Sequence, residues 1–398
     1  MKKICIITQG MLPVPAVKGG AVETLVEYIL NCNEVGKKLD ITVLSVEDEE
    51  AEKKSRAYKY TQFVYFKQHK KKYNECLMLF YKILKRIGIY IPPYLEYIDI
   101  FRFLRKNSQK YDLCVYEGGP TTQLPALNKF VEKDKLIMHL HWDGMGNRRL
   151  DSCFSYLISI SDYIGKCWKN ASGCKDDKIK LLPNCVDIAK FDKEVTEEEK
   201  EDLRKQLNIA ESDYVLIFVG RIVKDKGVLE LIKAYQLLTQ KNVKLLLIGS
   251  ANFGNKTCTG YEKEVLEAIE NSNKPIIKTG YVHQNELYKF YAISDLAIMP
   301  SQFQEPAGLV ALEALATRTP LVATRVGGLP EYVSEECAVL IDKNEKLIEN
   351  LAKAIDEVLI DENRRENMSK TARDFARQYD VNMFYERFVG IISEISSN

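Results

Sequence analysis

Two glutamates separated by seven residues, Glu305 and Glu313, stand in the stretch 304–331, QEPAGLVALEALATRTPLVATRVGGLPE. Leu309, Leu312, Leu315 and Ala316 recur at helical spacing, so a loop ending near Glu305 feeds a helix, and Glu313 lies one to two turns inside it. A helix start presents free backbone N–H groups, here those of Gly308, Leu309 and Val310, and the positive end of a dipole, which suits a phosphate. Two carboxylates beside it would repel that phosphate unless each holds something else. The hydroxyls of a sugar and of a ribose, at opposite ends of a diphosphate, are such partners. The pair reads as a nucleotide-sugar site, against the alternative of solvated glutamates on an amphipathic helix.

Other residues suit the same chemistry. Breaking the anomeric bond of a nucleotide sugar leaves charge on a phosphate, which cations, backbone donors or a metal must stabilise. Arg221 and Lys226, five apart after the apolar run 214–219 and flanked by Gly220 and Gly227, supply two fixed positive charges. His139 and His141 alternate on an apolar run and so share one face of a strand, with Asp143 continuing it, which is metal-ligand geometry. The chain has only four histidines, with His69 and His283 distant in sequence, so no metal and no cofactor are expected. A structural histidine is the alternative for each ring. Glu117 and Asp143 are the carboxylates placed to act as a base or to hold an acceptor. Gly19 and Gly20, at a loop–helix junction, let backbone approach a ligand closely, although the dinucleotide fingerprint G-x-G-x-x-G is absent.

These residues need strand ends to hold them. Apolar runs at 3–8, 41–46, 113–117, 136–141, 157–161 and 179–182 alternate with helical patterns. A second series at 214–219, 243–248, 276–279, 296–299, 321–324 and 338–341 does the same. Strands alternating with helices predict parallel, doubly wound sheets with ligands at the strands' C-terminal ends. In the second series those ends carry glycines or small polar residues, Gly249 and Gly280 among them. The segment LPNCVD, 182–187, interrupts the pattern, and a chain of 398 residues suits two cores rather than one. The expected division is 1–185 and 186–379, with a last helix from about 380 to 398 packing back on the first domain.

The glutamate pair, the Gly-Arg…Lys-Gly pattern at 220–227 and the Pro-Asn-x-Val-Asp segment at 183–187 resemble the motifs of retaining family 4 glycosyltransferases. The start KGGAVE at 18–23 is similar to members in capsule, exopolysaccharide and spore-coat polysaccharide synthesis. The resemblance covers nearly the whole chain and is weakest from about 47 to 110. It implies a GT-B architecture, two Rossmann-like domains facing across a cleft, with acceptor binding in the first and donor binding in the second. It also implies transfer from a nucleotide-diphosphate sugar, UDP by default, to a glycan or polyisoprenoid-linked acceptor with retention of configuration. Glu305 then meets the sugar, Glu313 the ribose, Arg221 and Lys226 the diphosphate, and Tyr281 and Val282 the base through main chain. Gly19 and Gly20 lie beside the phosphates, and His141 faces the transferred sugar. Departures are Ala307 where an aromatic is usual, Trp142 inserted before Asp143, and Arg318 where a glycine is usual; a left-handed turn there would strain Arg318 by about 1 kcal/mol. The competing readings are a catalytically silent partner of the same fold and a sugar-nucleotide epimerase.

The bulk properties exclude other classes. Lysine and arginine number 57 against 56 acidic residues, a net of +1, so no global charge argues for nucleic acid. Ten cysteines without a C-x-x-C pair suit a reduced, cytoplasmic protein. No apolar run approaches the roughly 18 residues of a membrane span. From 53 to 90, however, bases and aromatics interleave around an apolar stripe. That suits an interfacial helix on the anionic inner face of a membrane, or else a core helix with a solvated basic face.

Overall fold

In the computed structural model the chain forms two units, Met1–Asn184 with Val381–Asn398, and Cys185–Asp380. The structure describes residues 1–67, 71–86, 95–118, 124–144, 146–250 and 259–397; His69 and residues 68–70 and 87–90 of the basic stretch lie outside the described residues.

The first unit holds seven strands: β1 (Lys2–Ile7), β2 (Leu39–Val46), β3 (Thr61–Phe66), β4 (Leu113–Tyr116), β5 (Leu136–Leu140), β6 (Tyr156–Ser159) and β7 (Ile179–Leu181). All pairs are parallel, in the order β3-β2-β1-β4-β5-β6-β7. The central strands are continuous apolar runs because helices cover both faces, and Ile4, Cys5 and Ile6 are fully buried. β3 has no counterpart among the expected strands. It is an edge strand whose residues are mostly half-buried, so the apolar run that marks a central strand is missing. The last helix, Val381–Ile395, returns to this unit and buries Phe384, Tyr385, Phe388, Ile392 and Ile395. Its Tyr385 hydroxyl donates to Asn33 Oδ1 at 2.7 Å, on the helix Ala21–Gly36.

The second unit holds β8 (Tyr214–Val219), β9 (Val243–Ile248), β10 (Ile276–Gly280), β11 (Leu296–Met299), β12 (Leu321–Thr324) and β13 (Ala338–Ile341), all parallel in the order β10-β9-β8-β11-β12-β13. Period-two alternation divides β8 between two cores. Val215 and Ile217 pack on one face with Leu312 and Leu315, and Leu216 and Phe218 on the other with Leu231 and Ile355. Each sheet reverses its strand order beside its first strand, the position at which ligands meet such sheets.

Candidate active site

In the second unit the chain leaves β8, turns through Lys224–Lys226 and enters the helix Val228–Leu237. Gly227 makes that turn with φ 70°, and a Cβ there would lie 2.0 Å from the Pro300 carbonyl oxygen. Only glycine lets the turn close on the loop after β11. The contact brings Lys226 to that loop, where its Nζ meets Glu305 Oε1 at 2.7 Å and lies 4.8 Å above the Phe303 ring. Ser301 Oγ donates to the same carboxylate oxygen at 2.5 Å. Glu305 is buried, yet Oε2 makes no hydrogen bond among the described residues, so the protein fixes one oxygen and leaves the other unengaged. The loop is laced to the turn after β12: Gly328 N–H donates to Glu305 O at 2.7 Å, and Gly327 N–H to Gln304 Oε1 at 2.5 Å.

The helix Leu309–Ala316 follows Gly308, and no side chain caps it. Its first N–H groups are therefore available to an acceptor from outside the chain. Glu313 is its fifth residue, one turn in. Gln284 Nε2 donates to Glu313 Oε1 at 2.9 Å, and Lys190 Nζ donates to Gln284 Oε1 at 2.8 Å. Burial pushes the Glu313 carboxyl up to about 7, against the opposite pull of Gln284 and Lys190. Arg221 is exposed and makes no ion pair among the described residues. Gly249 has φ 138° and donates its N–H to Gly280 O at 2.8 Å; Tyr281 is exposed and Val282 half-buried just beyond.

In the first unit the ends of β4 and β5 form a buried cluster. Glu117 Oε2 accepts from His139 Nδ1 and His141 Nε2, each at 2.9 Å, and the two rings are 4.1 Å apart. Burial alone would raise the Glu117 carboxyl; the imidazoles outweigh it and hold it down to about 2. An ionised carboxylate only accepts, so both facing ring nitrogens carry protons. Burial, with His139 beside it, pulls His141 down to about 4, so its ring is neutral and its Nδ1 offers a lone pair. Glu117 Oε1 and His139 Nε2 are buried without partners among the described residues. These three residues, with ligand atoms within 4.8 Å of one another, have the donor types that a divalent transition metal takes. Asp143 is exposed and accepts from the Tyr163 hydroxyl at 3.3 Å.

Gly19 and Gly20, with φ 74° and 100°, lead into the helix Ala21–Gly36. Glu23, on its first turn, is buried, and a Cβ on Gly20 would fall 2.2 Å from its Oε2. Burial, reinforced by the field of Glu117, raises Glu23 to about 6. Neither Glu23 nor the Lys190–Gln284 pair stood out in the sequence as part of a site. Glu23 carried one usable signal, a carboxylate three residues past a helix-opening glycine. Lys190 and Gln284 carried none, because they stand 94 positions apart.

Two Rossmann-like units of parallel sheet, with these clusters at their strand ends, define the GT-B architecture. The chain is a glycosyltransferase of that fold. The family described as "Glycosyl transferases group 1" matches residues 199–375, most of the second unit. The chain is 24% identical to Bacillus subtilis spore coat protein SA over 97% of its own length and 96% of that protein's. It is 31% identical to the Salmonella typhimurium lipopolysaccharide 1,2-N-acetylglucosaminetransferase, across 50% of this chain and 51% of that enzyme. Among solved structures, Anabaena HepE in complex with UDP and glucose superposes with a TM-score of 0.74 over 99% of this chain and all of that one; at 19% identity the likeness speaks to the fold.

Proposed function

We propose that the protein transfers a sugar from a nucleoside-diphosphate sugar to a glycan or polyisoprenoid-linked acceptor with retention of configuration, as family 4 glycosyltransferases do. UDP is the nucleotide of choice, supported by its presence in the HepE structure. The observation that carries this reading is the arrangement of two carboxylates, each with one oxygen tied to the protein, on either side of an uncapped helix start. Arg221, Lys226 and the first N–H groups of that helix meet the diphosphate, whose charge grows as the anomeric bond breaks. With that charge so met, no metal is required. Glu305 Oε2 holds a hydroxyl of the transferred sugar, Glu313 holds the ribose, and the chain at Gly249, Tyr281 and Val282 borders the base. The bond from the anomeric carbon to the β-phosphate oxygen breaks and one to the acceptor oxygen forms on the same face. The leaving phosphate takes the acceptor's proton. His141 Nδ1 accepts from a sugar hydroxyl, and Glu117 and Asp143 belong to the acceptor side.

The test separates the glutamates. Glu305→Gln leaves calorimetric binding of free UDP nearly intact and lowers kcat, because the contact orients the reacting sugar. Glu313→Gln weakens UDP and donor alike and raises KM. The reverse pattern would overturn the assignment.

The same reading places the protein on an anionic membrane surface, where polyisoprenoid-linked acceptors lie. On the helix Lys71–Arg86, Leu79, Phe80 and Ile83 are 63%, 56% and 54% exposed at helical spacing, with exposed Lys82 and Arg86 beside them. No helix among the described residues is long and apolar enough to cross a membrane. Each base near such a surface contributes about 1 kcal/mol, falling with salt. Sedimentation with anionic liposomes is therefore expected to be lost at high salt and with Phe80→Glu. Equal recovery with neutral liposomes would count against it.

A further inference from the structure

Lys190, Gln284 and Glu313 come from three separate segments. Lys190 lies in the short helix Ile188–Phe191, where Asp187 Oδ1 accepts from its backbone N–H at 3.0 Å. Gln284 opens the turn Gln284–Glu286, which His283 caps through Nδ1. Glu313 lies in the helix Leu309–Ala316. Their side chains form a line: Lys190 Nζ to Gln284 Oε1 at 2.8 Å, and Gln284 Nε2 to Glu313 Oε1 at 2.9 Å.

Each link in that line has only one sense. An ammonium only donates, so Lys190 fixes which end of the Gln284 amide is oxygen. The amide nitrogen at the other end only donates, so Glu313 Oε1 must accept. Glu313 Oε2 makes no hydrogen bond among the described residues and is the oxygen left for a ligand. Among the described residues, the other titratable group in the field of Glu313 is Tyr291, whose buried hydroxyl has no partner there. Arg373, from the helix Glu362–Ala376 packed on this one, and Arg318, in the turn that follows it, are both engaged with Asp192.

We propose that Lys190 and Gln284 are positioning residues that hold Glu313 as a one-sided acceptor for the ribose hydroxyls of the donor, so that nucleotide binding is linked to proton release. This rests on the reading that Glu313 meets the ribose. In the free protein at neutral pH, burial keeps a substantial fraction of Glu313 protonated. A ribose diol donates to the ionised form, so binding expels the remaining proton to solvent. Gln284 favours the ionised form because its N–H donates to the carboxylate. Lys190 adds positive charge and prevents the amide from turning its oxygen toward Glu313.

The experiment is calorimetry from pH 5.5 to 8.5 with UDP and with 2′,3′-dideoxy-UDP. The two share a titrating terminal phosphate, so the ratio of their affinities isolates the ribose. For the wild type that ratio is expected to rise with pH and level off above neutrality. Gln284→Met should move the midpoint up by about one pH unit and cut the ratio at pH 7 by about fivefold. Gln284→Glu, of the same size, should move it further in the same direction by repelling Glu313. Lys190→Arg should keep the wild-type profile, and Lys190→Met should move it part of the way. Melting temperatures measured at pH 6 confirm that each variant is folded. An unchanged midpoint in folded Gln284→Met and Gln284→Glu overturns the relay while leaving the ribose assignment standing. Equal affinity of the wild type for the two nucleotides at every pH, or no binding of UDP, removes the ribose reading and the relay with it.

Discussion

Lys226 serves the folded chain before it serves any ligand. Its partner Glu305 is buried, and the ammonium and the Ser301 hydroxyl are the groups that satisfy Oε1. Removing one member of a largely buried pair strands the other's charge, whereas removing both does not. Lys226→Ala is therefore expected to lower unfolding stability by about 1–3 kcal/mol. Adding Glu305→Gln to it should recover part of that loss, because a neutral amide tolerates the lysine's absence. Urea midpoints of the two single mutants and the double mutant check this; strictly additive changes would mean that the pair is not coupled. The sequence made both residues legible as site candidates, through their spacing and flanking glycines. It did not make their pairing legible. They stand 79 positions apart, and the type and setting of each point toward a ligand rather than toward the other. The same limit explains Glu117: its strand end was readable, but not that one of its oxygens would take both imidazoles.

The turn between the helix Leu309–Ala316 and β12 shows an element carrying strain. Arg318 adopts φ 63°, the left-handed region that its sequence position, where a glycine is usual, had suggested. The turn is fixed by neighbours on both sides: Thr317 N–H reaches Glu313 O and Thr319 N–H reaches Ala314 O, at 3.2 and 2.9 Å. The helix cannot relax without moving the glutamate it positions. Arg318 reaches Asp192 only at 3.4 Å and is largely exposed, so its ion pair contributes little. Arg318→Gly is expected to exceed Arg318→Ala in stability by about 1 kcal/mol, because both lose the ion pair and only glycine relieves the backbone. Thermal unfolding of the two variants decides it; equal melting temperatures would show that the turn holds no such strain. Legibility at this scale followed burial. Strands buried on both faces, such as β8 and β11, announced themselves as apolar runs. β3 did not, because its edge position leaves its aromatics half-exposed among lysines, where they read as part of the basic–aromatic stretch.

At the scale of the whole molecule, the second unit is an insertion in the chain of the first. It begins at Cys185 and ends at Asp380, and these crossing points lie side by side: Val186 N–H donates to Tyr379 O at 2.9 Å, and Val186 bridges Asp380 in parallel. The unit has a six-stranded sheet with a core on each face, and Lys190, Arg221, Lys226, Gln284, Glu305 and Glu313 all belong to it. Its cores draw on its own helices, the last of them Glu362–Ala376, and among the described residues they include none from the rest of the chain. The fragment 185–380 is therefore expected to unfold cooperatively by itself and to bind UDP within about tenfold of the full chain. It should have no transferase activity, since the Glu117–His139–His141 cluster is missing. The first unit depends on the return of its last helix: a chain ending at residue 380 would expose the apolar surface that Phe384, Tyr385 and Phe388 bury and would leave Asn33 without the Tyr385 hydroxyl. That truncated chain should lose the cooperative unfolding of the first unit while keeping nucleotide binding in the second. Calorimetric unfolding and UDP titration of the fragment and the truncated chain test the division together. A fragment 185–380 that folds yet binds no UDP would show that nucleotide recognition needs residues from the first unit.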